Sequence, residues 1–341
     1  MGLGRAMFED HYPVFKAHPA LFKVVAACDL MKERRDIIAK DFPDCKMFRR
    51  FSDMLDERDI DVVDIATCSV DHVNHALMSL ERGFWTLLET PLALTFDDAQ
   101  VLRGAAQKAK NRLLVFHRGL FAPDFLLTKE VMADVRLGDI YQVCVRREDF
   151  IRRDDWQTVK RLGGGAAYYA MPDLVLQALR LLPLPPIQMW SELKRVASLG
   201  DAEDFLHIVL KSRGEITADV ELCGAHLAPA EPSFTLRGSL GSFYVNPGAA
   251  EGTLRVVSPR FKFPRRRSSV RTPPLDDMHE NLPIEEISLR LPDNSVAGPT
   301  AFWRAVYATI RTAAPFPVSL DEAVEVIRYL QLAKQASPFA K

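Results

Sequence analysis

Two glycines near the start of the chain have the spacing of a phosphate-binding turn. Gly2 and Gly4 match the first two glycines of the pattern G-x-G-x-x-G, and Met7 stands in the third place. Glycines at these positions allow a tight turn and bring the backbone close to a pyrophosphate at the start of a helix. The pattern therefore predicts that Gly2, Gly4, Arg5 and Ala6 contact a dinucleotide.

An aspartate follows the first apolar run at a distance that also suits such a site. Residues 22–28 read FKVVAAC, which predicts a buried strand, and Asp29 comes directly after it. A carboxylate about 20 residues beyond the glycines can bond the ribose 2′-hydroxyl and disfavours the additional phosphate of NADP. The alternative is an ordinary solvated aspartate in a turn. The spacing favours the first interpretation and predicts NAD rather than NADP.

The strand that normally leads into a phosphate-binding turn is missing from this sequence. Only Met1 precedes Gly2, whereas the glycines of a dinucleotide-binding unit follow an apolar strand. Two explanations stay open, because the strand either lies upstream of Met1 or is truncated. A truncated strand would leave a gap in the centre of the sheet.

The first 120 residues alternate between strand and helix patterns, and the later residues do not. The early predicted strands are 22–28, 61–67, 85–89 and 112–116, with helices at 32–41, 71–82 and 95–110. Strands that alternate with helices form parallel sheets covered on both faces. Later strands follow one another with few helices between them, which favours an antiparallel sheet, at 139–149, 189–196, 205–211, 216–223, 234–237 and 242–245. Ser319 and Glu322 form a capping box that begins a last helix of about residues 319–336.

One long segment resembles the signature of a known enzyme family. Residues 61–94, DVVDIATCSVDHVNHALMSLERGFWTLLETPLAL, are similar to the D-V-V-x-I-A-T…E-K-P-L-A signature of the Gfo/Idh/MocA family of NAD(P)-dependent oxidoreductases. The resemblance continues through five further features of the chain, namely Phe116-His117-Arg118, Phe121-x-Pro123, Asp154–Gln157, the glycines 163–165 and the closing capping-box helix. It therefore covers nearly the whole chain.

The resemblance implies an α/β fold with two domains. Residues 1–118 are expected to form a Rossmann-type parallel sheet whose first strand is truncated. Residues 119–341 are expected to form an α+β domain with an open, mainly antiparallel sheet, and the last helix is expected to pack back toward the first domain. In this family the open sheet commonly joins subunits, so a homo-oligomer, a dimer or a tetramer, is implied.

The resemblance also assigns cofactor contacts. Thr67, His72, Glu89 and Pro91 stand at family positions around the dinucleotide, although Cys68 replaces the proline that usually follows Thr67. An alternative for His72 is a histidine at a helix start that contacts only backbone. No set of residues has the spacing of a metal site, so no metal is expected.

The residues that do the family's chemistry are replaced here. Thr90 stands where the E-K-P motif supplies a lysine, and Tyr169 and Asp173 stand where the family has an aspartate and a histidine. Oxidation of an alcohol needs a group that accepts the hydroxyl proton, preferably one that titrates near neutral pH. Tyrosine and aspartate titrate in peptides at about pH 10 and about pH 4. Tyr169, Asp173, His117 and Thr90 are the catalytic candidates, although His117 and the neighbouring Tyr168 also suit plain packing roles.

Three functions remain compatible with these residues. The first is an oxidoreductase that transfers hydride to or from a sugar, a polyol or a related carbonyl compound. The second is a catalytically inactive paralogue that acts as a binding or regulatory subunit, since several losses fall at one site. The third, more remote, is a lyase or glycosidase assisted by NAD.

Composition excludes several other classes of protein. A net charge of −1 gives no reason to expect a nucleic-acid partner. The basic, proline-rich residues 258–276 are interpreted as a solvated loop. No apolar run is long enough to cross a membrane, and no signal-peptide core is visible. Five cysteines without a CxxC pair favour a reducing cytoplasm without disulfides or structural zinc.

Overall fold

The computed structural model describes residues 1–264, 280–293, 295–337 and 339. The prediction of a solvated loop at residues 258–276 falls mostly outside the described residues. Among the helices that are described, none is long and apolar enough to cross a membrane.

Five short parallel strands form the N-terminal part of the molecule. They are β1 (Ala26–Cys28), β2 (Lys46–Phe48), β3 (Val62–Ile65), β4 (Trp85–Glu89) and β5 (Leu113–Phe116). Strand β1 pairs with β2, and β3, β4 and β5 pair in that order, all in parallel register. The prediction of a parallel sheet is confirmed.

The expected gap lies between β1 and β3, and the first two residues bridge it at the carboxyl ends of the strands. The Gly2 amide donates to the Cys28 carbonyl at 2.9 Å, and the Ala66 amide donates to the Met1 carbonyl at 2.8 Å. Gly2 has a φ of +83°, and a Cβ at this position would lie 2.4 Å from the Ala66 oxygen. Only glycine allows this close approach.

Helices cover both faces of the parallel sheet. In the N-terminal part these are α1 (Tyr12–Ala17), which continues a π-helical turn at Met7–His11, α2 (Lys32–Asp41), α3 (Phe51–Met54), α4 (His72–Glu81) and α5 (Phe96–Lys108). Neighbouring strand residues point to opposite faces. Leu88 and Val115 therefore enter one hydrophobic cluster, while Leu87 and Leu114 enter another.

An eight-stranded sheet forms the C-terminal part. Its strands are β6 (Ile140–Glu148), β7 (Pro186–Lys194), β8 (Phe205–Ser212), β9 (Thr217–Cys223), β10 (Phe234–Gly238), β11 (Gly241–Val245), β12 (Glu251–Val257) and β13 (Ile284–Arg290). The spatial order is β13-β12-β11-β10-β6-β9-β8-β7, and every pair is antiparallel except β6 with β9. Burial alternates along β8 and β9, so one face is packed and the other is more open. The prediction of a mainly antiparallel sheet is confirmed.

The helices of the C-terminal part complete the core. They are α6 (Pro123–Val131), α7 (Ala166–Tyr169), α8 (Met171–Leu181), α9 (Gly298–Thr312) and α10 (Leu320–Ala336). Helix α9 carries Phe302 and Trp303 into the cluster on the outer face of the parallel sheet. One buried cluster runs from β3 and β4 through α8 and α10 to the eight-stranded sheet, so the two parts share a core.

Helix α10 makes polar contacts with both parts. The capping box predicted at Ser319 and Glu322 is present. The Phe96 amide at the start of α5 donates to Gln331 at 2.8 Å. On the other side, the Ser191 hydroxyl in β7 donates to the Ala333 carbonyl at 2.8 Å.

Candidate functional site

A cleft of about 810 Å³ opens at the carboxyl ends of the parallel strands. The chain between residues 1 and 6, the ends of β1, β3 and β4, the end of β6, and the segment from Arg153 to Asp173 contribute to its walls. The carboxyl edge of a parallel sheet is where α/β proteins bind nucleotides. Most predicted site residues line this cleft: Gly2, Gly4, Arg5, Ala6, Asp29, Thr67, His72, Glu89, Thr90, Tyr169 and Asp173.

The glycine turn, residues 2–6, leaves room for a ligand. A Cβ on Gly4 would have no protein atom within 4 Å, and Gly4 lines the cleft. Packing of the protein therefore does not require glycine here, unlike at Gly2. A bare backbone that faces an open cleft fits the close approach of a pyrophosphate.

Asp29 holds the glycine turn to the end of β1. Its carboxylate accepts hydrogen bonds from the Leu3 amide at 2.7 Å and the Met31 amide at 2.8 Å, and Arg34 lies 3.7 Å away. The side chain is buried but lines the cleft. The carboxylate thus shapes the turn in addition to the ribose contact predicted for it.

His72 joins the ends of β3 and β4. Its ring nitrogens lie 2.8 Å from the Pro91 carbonyl and 3.1 Å from the Thr67 carbonyl. Burial lowers the pKa of His72, so the ring is neutral and donates to one of the two oxygens. Pro91 itself does not line the cleft and takes part through this carbonyl, and the peptide bond from Thr90 to Pro91 is cis.

A buried histidine that was not predicted lies beneath the cleft. The His11 ring contacts Asp64 at 2.7 Å through Nδ1 and Glu89 at 2.9 Å through Nε2, and it stacks on Phe116 with ring centroids 4.4 Å apart. Burial by itself would lower the pKa of His11, but the two carboxylates outweigh burial and raise it to about 10. The ring is therefore a buried imidazolium between two acids.

Asp173, on α8, faces the cleft from the wall formed by the C-terminal part of the molecule. Its Oδ1 lies 2.9 Å from His117 Nδ1, and its Oδ2 accepts the Gly119 amide at 3.1 Å. A Cβ on Gly119 would lie 2.9 Å from the Asp173 Cβ, so the absence of a side chain there allows this contact. His117, a catalytic candidate in the sequence, is 1% exposed and does not line the cleft. It lies behind Asp173 instead.

Tyr169 and Thr90 complete the polar groups at this end. Tyr169 lines the cleft, and Arg153 lies over its ring at 5.9 Å from the centroid. Burial raises the pKa of Tyr169, although Arg147 and Arg153 oppose this effect. The phenol is therefore protonated at neutral pH and can donate a hydrogen bond. Thr90 offers a hydroxyl, which cannot act as a base near neutral pH.

Arginines line the same end of the cleft and were not predicted as site residues. Arg118 binds the Asp10 carboxylate through two contacts of 2.8 and 3.0 Å. Arg153 binds Asp155 at 2.5 Å. The side chain of Arg147, on β6, has no hydrogen bond or ion pair with any residue that the structure describes.

One of these omissions left a signal in the sequence. His11 did not, because it ends a π-helical turn at Met7–His11 that no sequence pattern predicted. Arg146 and Arg147 are consecutive residues at the end of an apolar strand, so one of them must point away from the other. The residues that pair with these side chains lie far away in the chain, and no local pattern identifies them.

The groups present fit a dinucleotide. The bare glycine turn and the buried carboxylate of Asp29 would hold a pyrophosphate and an adenosine ribose. Within residues 1–264, 280–293, 295–337 and 339, no three His, Cys, Asp or Glu side chains are arranged to hold a metal ion.

Known proteins are similar to this chain in sequence and in fold. The chain is 24% identical over 322 residues to the scyllo-inositol 2-dehydrogenase (NADP(+)) IolW of Bacillus subtilis, which covers 90% of this chain and 85% of that protein. It is 26% identical over 351 residues to the oxidoreductase YdgJ of Escherichia coli, with 97% and 93% covered. The crystal structure of an NAD-binding protein from Listeria innocua matches with a TM-score of 0.80 at 19% identity, covering 95% of this chain and 90% of that one.

Two family descriptions match the chain in succession. "Oxidoreductase family, NAD-binding Rossmann fold" matches residues 1–117, and "GFO/IDH/MocA C-terminal domain" matches residues 125–244. Together they span the parallel sheet, the cleft and most of the second sheet. The chain therefore belongs to the Gfo/Idh/MocA family of oxidoreductases.

Proposed function

We propose that this protein is an NAD-dependent dehydrogenase that interconverts a hydroxyl and a carbonyl group on a sugar or polyol. The observation that carries the proposal is the Asp173 carboxylate, which faces the cleft and is backed by the buried ring of His117 at 2.9 Å. The similarity to a scyllo-inositol dehydrogenase supports the substrate class.

Asp173 is the proposed base. When bound, NAD would accept a hydride from the carbon that carries the reacting hydroxyl. Asp173 takes the proton of that hydroxyl, and the contacts with His117 and the Gly119 amide hold its carboxylate in place. Tyr169, protonated at neutral pH, donates a hydrogen bond to the same oxygen. General bases of this kind typically contribute about 10² to 10⁴ in rate.

This arrangement replaces the lysine and histidine that the family uses. Thr90 contributes at most a hydrogen bond, and we assign His117 to positioning Asp173. No finding supports the hypothesis of an inactive binding subunit. Nothing in the site favours the lyase or glycosidase hypothesis over hydride transfer.

Several wider features belong to the same proposal. Residues 1–118 would bind the cofactor and residues 119–341 the substrate. The exposed side chains of Tyr141, Ile187 and Trp190 on the eight-stranded sheet support a homo-oligomer, a dimer or a tetramer. Five unpaired cysteines suit the reducing cytoplasm in which we propose that the enzyme works.

Calorimetric titration with NAD, NADH, NADP and NADPH tests the cofactor. NAD or NADH is expected to bind with micromolar affinity, and a screen of sugars and polyols then tests turnover by the absorbance of reduced nicotinamide. If none of the four nucleotides binds to the folded protein, the dehydrogenase proposal is wrong.

Asp29→Ala is expected to weaken NAD binding by at least about tenfold, because it removes the ribose acceptor and frees the Leu3 amide. Asp36→Ala is the matched control, since Asp36 is an exposed residue of α2 that pairs with Lys32. The proposed preference for NAD over NADP is wrong if NADP binds the wild-type protein as tightly as NAD does. Arg34, Arg49 and Arg50 line that end of the cleft and could then hold the 2′-phosphate.

A further inference from the structure

Two consecutive arginines at the end of β6 have opposite surroundings. Arg146 forms ion pairs with Asp219 at 3.5 Å and with Glu231 at 2.5 Å. Arg147 points to the other face of the sheet, into the cleft. No carboxylate or other acceptor among the described residues binds it. The cleft therefore contains a guanidinium that no described residue binds.

The acids of the cleft near Arg147 are already paired with other groups. Arg118 occupies Asp10 with two contacts, and Arg153 occupies Asp155. The carboxylate of Asp173 is already bonded to His117 and to the Gly119 amide. The Arg147 side chain is exposed to the cleft, although the protein atoms around it, together with repulsion from Arg118, lower its pKa. An anion that enters the cleft would pair with this guanidinium and offset the repulsion.

The position of Arg147 separates this anion from the phosphates of the cofactor. The pyrophosphate is expected at the glycine turn, on the wall formed by the parallel sheet. Arg147 lies on the wall formed by the second sheet. Its nearer electrostatic neighbours are Arg118, Tyr169 and Asp173, and Arg5 of the glycine turn acts on it more weakly. An anion bound by Arg147 would therefore be part of the molecule on which Asp173 acts.

We propose that Arg147 forms a subsite for an anionic group of the substrate, a carboxylate or a phosphate ester. The substrate is then a sugar acid or a sugar phosphate rather than a neutral polyol. The planar guanidinium offers two parallel N–H donors, which match either group. This inference rests on the proposed dehydrogenase function, because it places the anion beside the proposed base.

Calorimetry on the protein saturated with NADH tests the subsite. The probes are D-gluconate, D-glucose 6-phosphate and neutral D-sorbitol, which differ in the group presented to Arg147. At least one anion is expected to bind at least about tenfold more tightly than sorbitol. Preference for gluconate would identify a carboxylate, and preference for the sugar phosphate would identify a phosphate ester.

Variants then assign the preference to Arg147. Arg147→Gln is expected to weaken binding of the preferred anion by roughly ten- to a hundredfold, as for the loss of a charged hydrogen bond. It should leave sorbitol binding and NADH binding unchanged, and Arg147→Lys should be intermediate. Arg152→Gln is the matched control, because Arg152 is exposed and outside the cleft, and it should have no effect.

The inference is overturned if sorbitol binds as tightly as both anions, if no anion binds, or if Arg147→Gln leaves anion binding unchanged. Failure of the proposed function has a different signature. NADH then does not bind in the first step, and titration of the anions into the protein without cofactor still shows whether Arg147 holds them.

Discussion

Asp173→Asn is expected to lower turnover by about a hundredfold or more, because the amide cannot accept the proton of the substrate hydroxyl. The substitution keeps an oxygen that can accept the Gly119 amide, so the local structure should remain intact. Affinity for NADH should be unchanged, and the loss should appear in kcat. Steady-state kinetics on the best substrate of the screen measure kcat, and a titration with NADH measures the affinity.

Tyr169→Phe and His117→Gln separate the roles around Asp173. Loss of the phenol should reduce kcat less than loss of the carboxylate, because Tyr169 contributes a hydrogen bond and not the proton acceptor. His117 does not line the cleft, so His117→Gln should have little effect on KM. It should instead change how kcat depends on pH, because His117 positions the Asp173 carboxylate. Unchanged turnover in both Asp173→Asn and Tyr169→Phe would refute the assignment.

His11→Gln is expected to reduce the free energy of unfolding by about 3–5 kcal/mol. The variant leaves the carboxylates of Asp64 and Glu89 facing each other without the cation between them. Both carboxylates are largely buried, so water can replace the imidazolium only in part. Urea denaturation measures the difference, and His18→Gln, a histidine outside this cluster, is the control.

The effect of His11 should depend on pH. The pKa of His11 is raised from 6.5 to about 10 in the folded protein, so the folded state binds this proton more tightly than the unfolded state. The stabilisation is fully present below pH 6.5 and is lost as the pH rises through about 10. The difference in stability between wild type and His11→Gln should shrink over this interval. A difference that stays constant from pH 6.5 to 10 would contradict a charged His11.

The fold was predictable because its signals are local. Alternation of apolar runs with helical patterns indicated the parallel sheet, and the capping box at Ser319 marked the start of α10. Strand ends were less predictable, since the apolar run 22–28 forms a strand only at Ala26–Cys28. Strands β2, β12 and β13 were not predicted, and the last two carry many charged or exposed residues.

The sequence predicted most residues of the candidate site but not the contacts between them. The glycine turn, Asp29 and the residues of the E-T-P segment were identified from motif and spacing. The contact of His117 with Asp173 joins residues 56 positions apart, and the contact of His11 with Glu89 joins residues 78 apart. Such contacts depend on how helices and strands pack. That Arg147 has no side-chain partner among the described residues is likewise visible only in the folded chain.

The shared core and helix α10 also determine how the molecule unfolds. Val324, Ile327 and Leu330 of α10 belong to one buried cluster that includes residues of both sheets. Separation of the two sheets would expose this apolar face to water, so we expect neither part to be stable without the other. Heating should therefore melt both in a single calorimetric transition. We expect ligands to reach the cleft through movements of its loops rather than through a wide hinge motion between the two halves.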